Sequence, residues 1–327
     1  MKKVTLKDIA NEVGVTVGAV SHVLNGIDDI SEETKERVLE AVDRLGYISN
    51  GSAVSLRSGK TNTIAIIIPD ISNPHLAYQI KLIEDKMRRF NYSVIILNTN
   101  ENEKTEHEAI VTACSKQVDG ILLCPSQHSK KNIRFMNKLG IPYVLIGRFF
   151  DGFDTDYVCA DDVKGGYIAG EYLIGNGYKN PIYIGAYDYI EASINRFKGI
   201  CNVFSDNGME FEKERFIQIS PDAKDVNKII DEIKNSGTEF DSIIAFSDLV
   251  AFKMVSQIKE KFGDRYIPIV SFDAINSHLY MPFYNISVGM VDNGWANKAS
   301  SVLIDKINGK GKRCKEFIDV KLYEFNK

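Results

Sequence analysis

The sequence predicts an α/β chain: two parallel β-sheets with flanking helices, preceded by a small all-α helix-turn-helix unit. Three observations carry this. Two short apolar-periodic segments flank Gly14 near the start, short β-rich runs alternate with helical patterns from Thr63 onward, and the same rhythm restarts after Asp161. With 327 residues, 44% of them hydrophobic and 26% charged, the chain can fill two or three sizeable cores.

The elements follow in order. Ile9, Ala10 and Val13 share one helical face, Val17, Val20, Val23 and Leu24 share another, and Gly14 takes the turn between them. Thr5 with Asp8 three residues later predicts a capping box with Asp in place of Glu, and Thr16 is placed to cap the second helix. A third helix is predicted from Ser31, with Glu32 and Glu33 at its positive end, through Val38, Ala41, Val42 and Leu45 to a stop at Gly46. The stretch "NGSAVSLRSGKTN" is polar and glycine-bearing yet carries Ala53, Val54 and Leu56, which reads as a linker that orders only against something else. Beyond it come "TIAIIIP", a helix over 74–90, "YSVIILN", a helix over 103–117, "GILLCP", a helix over 129–139 and "IPYVLIG". The second run is a helix over 163–175, "NPIYIG", 192–207, "RFIQIS", 224–235, "FDSIIAF", 248–262 and "IPIVSF", with "EFIDVKLYEF" as the last strand. Strands separated by helices imply parallel sheets covered on both faces. Right-handed crossovers then put ligand groups at the C-terminal strand ends, facing a cleft between two lobes.

Several classes are excluded. No stretch reaches eighteen apolar residues and "MKKVTLKDIANEV" has no secretory pattern, so a cytoplasmic chain without a membrane span is expected. The five cysteines, Cys114, Cys124, Cys159, Cys201 and Cys314, are scattered, which fits reduced and mostly buried thiols and implies neither a metal nor a cofactor. "IIIPDISNPH" stands where a dinucleotide enzyme needs its glycine fingerprint, no nucleophile elbow occurs, and the histidines have no metal spacing, so no enzyme is expected. Net charge is −4, and residues 1–60 hold eight basic against nine acidic side chains. Strong non-specific DNA binding is therefore not expected, whereas specific binding can use helix N-termini, a few placed cations and dimerisation.

"VTLKDIANEVGVTVGAVSHVLNG" and "SEETKERVLEAVDRLGYISN" resemble the DNA-binding headpiece of the LacI/GalR family of bacterial transcription regulators, and "AVSLRSGKTNTIAIIIPDISNPH", "QVDGILLCPS" and "RFKGI" extend the resemblance over nearly the whole chain. It implies a headpiece over 1–49, a hinge over 50–61 and a periplasmic-binding-protein-like effector domain over 62–327. That domain would have one lobe of about 62–160 and 292–318 and another of about 161–291 and 319–327, with crossings near 160, 291 and 318. It also implies a repressor of carbohydrate-metabolism genes that binds a palindromic operator in double-stranded DNA as a homodimer, with affinity controlled by a small effector. The DNA contacts implied are Thr5, Thr16, Val17, Gly18, Ser21, His22 and Asn25 in the headpiece. Asn50, Ala53, Ser55 and Leu56 complete the set, Leu56 wedging into the minor groove.

Effector contacts are expected just past strand ends: Asp70, Asn73 and His75 after the first strand, Arg148 and Phe149 after "YVLIG", then Asp161, Asp248 and Asp273. Arg196 matches the family's R-x-x-G, whose arginine grips a hydroxyl or carboxylate. Carboxylates and arginine mixed with aromatics suit a sugar; control by a partner protein or by a nucleobase remains an alternative. Leucine heptads are missing after the last strand, which implies a dimer and not a tetramer. The chain also departs from the family pattern, with His75-Leu76 in place of aromatics, Ser247 before Asp248, Met290 at a usual glutamine, and His22 where arginine is common. Effector and operator are therefore expected to differ from the family's usual ones.

Overall fold

The computed structural model describes residues 4–47, 59–277, 285–292 and 294–325, in two units that meet in sequence at Thr61 and Asn62. Asn50, Ala53, Ser55 and Leu56 lie outside the described residues. In the first unit, α1 (Leu6–Val13), α2 (Val17–Leu24) and α3 (Glu32–Leu45) pack Ile9, Ala10, Val13, Val20, Val38 and Ala41 into one core. Both bonds of the capping box form: Thr5 N donates to Asp8 Oδ2 at 2.8 Å and Asp8 N to Thr5 Oγ1 at 3.3 Å. Gly14 and Gly46 end their helices in the left-handed region, at φ 74° and 63°. Thr16 Oγ1 accepts from Ala19 N at 3.1 Å. Ser31 occupies the N-cap position of α3, but its hydroxyl donates to Thr34 Oγ1 at 2.9 Å and makes no cap bond.

The second unit holds two six-stranded sheets. The first contains β1 (Thr63–Ile68), β2 (Ser93–Asn98), β3 (Gly120–Leu123), β4 (Tyr143–Ile146), β5 (Tyr157–Ala160) and β11 (Lys315–Ile318) in the order β11-β5-β4-β3-β1-β2, all parallel. Helices α4 (Pro74–Arg89), α5 (Glu103–Ser115), α6 (Lys131–Leu139) and α11 (Trp295–Ile307) cover it. The strand pleat sorts β1 by period two, sending Ile64, Ile66 and Ile68 to one core and Ala65 and Ile67 to the other. The second sheet contains β6 (Pro181–Gly185), β7 (Phe216–Gln218), β8 (Ser242–Ala245), β9 (Ile269–Phe272), β10 (Asn285–Met290) and β12 (Val320–Phe325) in the order β12-β10-β9-β8-β6-β7. Around it lie α7 (Asp162–Gly175), α8 (Glu191–Asp206), α9 (Val226–Ser236) and α10 (Asp248–Phe262).

Two expectations need correction. The second sheet is mixed, because β12 runs antiparallel to β10. The expected single strand "EFIDVKLYEF" is two strands in different sheets, broken at Asp319. The chain passes between the sheets between β5 and α7, between β10 and α11, and at Asp319. Helices α7 and α8 meet through glycines: a Cβ on Gly166 would lie 1.9 Å from Arg196 O, and one on Gly199 would lie 2.0 Å from Val163 O. All five cysteines are free, but only Cys124 and Cys159 are buried and the others are half-buried. Among the described residues no helix is long and apolar enough to cross a membrane.

Candidate functional site

Between the two sheets lies a cavity of about 960 Å³, walled by the loops that leave the C-terminal ends of strands from both lobes. The first lobe brings Asp70 and Asn73 after β1, Glu101 after β2, Arg148 after β4 and Asp161 after β5. From the second come Arg196 on α8, Asp222 and Lys224 after β7, and Asp273 after β9. Trp295, which is 2% exposed, also lines the cavity, with its ring edge-on to His75 at 6.5 Å.

Arg196 is the most elaborately held group in this wall. Its Nε donates to Asp162 Oδ1 at 2.7 Å, its Nη1 donates to Phe246 O, and its guanidinium lies 4.3 Å from the Phe272 ring centroid and 5.0 Å from that of Phe246. Nη2 makes no hydrogen bond among the described residues, so one donor edge remains for a ligand oxygen. Burial pushes the Asp162 carboxyl up while Arg196 pulls it down. Arg148 forks onto Glu101, Nη1 to Oε2 at 2.8 Å and Nη2 to Oε1 at 2.6 Å, and also reaches Pro125 O at 3.1 Å. The cavity wall carries seven carboxylates (Asp70, Glu101, Asp161, Asp162, Asp222, Asp225, Asp273) against four cations (Arg148, Arg196, Lys224, Lys253). Counted as ionised, these groups leave an excess of negative charge on the wall.

Of the nine residues expected to meet an effector, Asp70, Asn73, His75, Arg148, Asp161, Arg196 and Asp273 line this cavity. Several have local duties too: Asn73 Oδ1 caps α4 by accepting from His75 N at 2.9 Å, and Asp161 Oδ1 caps α7 by accepting from Lys164 N at 3.0 Å. Phe149 and Asp248 lie off the wall. The Phe149 ring stacks on Tyr157 with centroids 4.5 Å apart and meets Phe317 edge-on, because an apolar ring finds more cover there than beside water. Asp248 is 1% exposed; it accepts from Ser271 Oγ and from Ile275 N at 2.7 Å, and burial pushes its carboxyl up to about 7. It braces the turn that holds Asp273, on the cavity wall, at φ 98° beside the buried Ala274 at φ 47°.

Sequence reasoning missed Glu101, Asp162, Phe246, Phe272 and Trp295 on this wall. Glu101 and Asp162 did carry a signal, since each follows a strand end, but their partners Arg148 and Arg196 lie 47 and 34 residues away. A seam between the lobes was also unforeseen. Gln127, at φ 65°, donates Nε2 to Phe149 O at 2.6 Å and accepts on Oε1 from Glu191 N at 3.0 Å. Glu191 Oε2 accepts from Phe149 N at 3.4 Å, and burial with the nearby Asp162 charge pushes its carboxyl up to about 8. The rings of His128 and Tyr189 meet across the same seam at 4.3 Å.

In the headpiece, α2 presents Thr16, Val17, Gly18 and Asn25 to solvent, with Ser21 and His22 half-buried and Thr5 exposed ahead of α1. Val17 is 44% exposed, an apolar group with no core to fill. Asn25 Nδ2 donates to Ser21 O at 2.6 Å, tying the end of α2 to itself.

Residues 5–50 match the family model described as "Bacterial regulatory proteins, lacI family", and residues 61–293 match that of "Periplasmic binding proteins and sugar binding domain of LacI family". The chain belongs to the LacI family. Among LacI-family relatives, the HTH-type transcriptional regulator RegA of Clostridium saccharobutylicum is 30% identical over 258 residues, 78% of this chain and 77% of its own. The HTH-type transcriptional repressor PurR of Glaesserella parasuis serovar 5 is 25% identical over 323 residues, 98% of this chain and 95% of its own. A solved structure of the lac repressor dimer bound to operator and the anti-inducer ONPF superposes with a TM-score of 0.85 at 17% identity, covering 99% of this chain and 98% of that one. As a LacI-family member the protein is a DNA-binding transcription regulator with a small-molecule effector domain, and its relatives are named as regulators and not as enzymes.

Proposed function

We propose that this regulator is a cytoplasmic repressor that binds a palindromic operator as a homodimer and that its effector is an uncharged, polyhydroxylated molecule, a sugar, held between the lobes. The observation that carries the effector class is the cavity wall itself. Arg148 and Arg196 are engaged by Glu101 and Asp162, and carboxylates outnumber cations seven to four, so a phosphorylated ligand finds repulsion where a hydroxyl-rich one finds acceptors. Asp273, Asp161, Asp70 and the spare Nη2 of Arg196 supply acceptors and a donor for ring hydroxyls. A ligand gripped from both lobes changes operator affinity through its differential affinity for the two lobe arrangements. In the operator complex, Leu56 of the hinge serves as the minor-groove wedge.

The test is a titration of the full-length protein with neutral sugars, sugar phosphates and nucleobases, following operator affinity. A neutral sugar is expected to change operator affinity, and Arg196→Ala to abolish that response while operator binding persists. A response confined to sugar phosphates or nucleobases overturns the effector class. Leu56→Ala is expected to weaken operator binding and spare sugar binding. Sedimentation showing a stable tetramer, or a monomer with full operator affinity, overturns the assembly.

A further inference from the structure

His22 stands in the last turn of α2, and its Nδ1 lies 2.8 Å from Asp29 Oδ2 and 3.0 Å from Oδ1. Asp29 belongs to the connection between α2 and α3. Lys35 of α3 is taken up by Asp28 and Glu32 at 2.6 Å each, which leaves the Asp29 carboxylate to the imidazole. A carboxylate can only accept, so the proton of the neutral ring resides on Nδ1. Nε2 is then a bare acceptor. An arginine at the same place offers donors alone and selects guanine, whose major-groove edge presents two acceptors.

We propose that Asp29 is a positioning residue that fixes the His22 tautomer, so that the headpiece reads a base amino group, adenine N6 or cytosine N4, where an arginine would read guanine. This rests on the reading of α2 as the operator-reading helix. Phosphate oxygens, guanine N7 and O6, and thymine O4 are all acceptors and find no proton on Nε2. Asp29 thereby sets base identity without touching DNA. The preference belongs to two symmetry-related positions of a palindromic operator, one per half-site.

The experiment is selection of binding sites by the full-length protein from a randomised duplex pool at pH 8, above the range in which a histidine side chain ordinarily changes charge. Wild type is run beside His22→Ala, Asp29→Ala and Asp29→Asn. His22→Ala identifies the paired positions by flattening them. Wild type is expected to enrich adenine or cytosine over guanine there by about fivefold, the lower end of what a good base contact supplies. Both Asp29 variants free the ring to put its proton on Nε2, so guanine rises at those positions alone while the melting temperature and every other position stay unchanged. Guanine or thymine enrichment by wild type, an unchanged preference in Asp29→Ala, or no position altered in His22→Ala overturns the proposal. A pool from which wild type enriches no sequence overturns the reading of α2 itself, whatever the His22–Asp29 pair does.

Discussion

Glu191 opens α8 at the seam between the lobes, and its replacement by glutamine removes a titrating group while keeping an oxygen for the Phe149 amide. In the folded protein burial holds its carboxyl up to about 8, against an ordinary 4.5. Between those two values the folded chain binds about one proton more than the unfolded chain, so stability falls as pH rises, by roughly 1.4 kcal/mol per unit. The contribution is fully present below the unfolded value and is lost as pH passes the folded one. From pH 6 to 8 the loss is roughly 2 kcal/mol, an upper bound because lobe opening rehydrates the carboxylate at less than the cost of unfolding. Urea denaturation of wild type and Glu191→Gln at the two pH values measures it. Arg148 and Arg196 keep their charges in both proteins, whereas Asp162, whose own carboxyl burial also raises, interacts with Glu191, so the difference of differences reports the two carboxyls together. Wild type is expected to lose about 2 kcal/mol more than Glu191→Gln over this range. Parallel losses would show that the carboxyl is ionised in the fold and refute the argument.

Three further outcomes are expected. Gly166→Ala, whose Cβ would lie 1.9 Å from Arg196 O, drives α7 from α8 and costs at least about 2 kcal/mol in thermal unfolding, with weaker sugar binding because Arg196 moves. Trp295 is the single tryptophan of the chain and abuts the cavity, so a bound sugar changes the emission of wild type but not of Trp295→Phe, while calorimetry still detects binding. Thr16→Ala removes a formed cap bond and costs the headpiece about 1 kcal/mol by calorimetric melting, whereas Ser31→Ala costs less because Ser31 makes none.

The headpiece was legible because its determinants are local. Thr5 with Asp8, Thr16 with Ala19, and Gly14 and Gly46 at their turns act within one helical turn, so spacing alone announces them. Strand ends were legible in the same way wherever a run such as "TIAIII" stayed apolar on both faces, and polar residues just past them reach the cavity because parallel topology collects those ends. What escaped depends on distant partners. Asp248 looked like Asp273, a carboxylate past a strand end, yet Ser271 and the Ile275 amide fold it inward. Phe149 follows Arg148 directly, and only the positions of Tyr157 and Phe317 decide that its ring turns away. β5, four residues long, and β10 gave no sustained pattern, and nothing local reverses the direction of β12.

Asp319 alone separates β11, the outer strand of one sheet, from β12, the outer strand of the other. While the chain is being synthesised, each lobe therefore waits on the same stretch, 315–325, and until it emerges β5 and β10 display open ladders of backbone groups. A stop codon or proteolytic cut ahead of Lys315 would thus damage both lobes at once, exposing two adhesive edges that invite pairing with other chains.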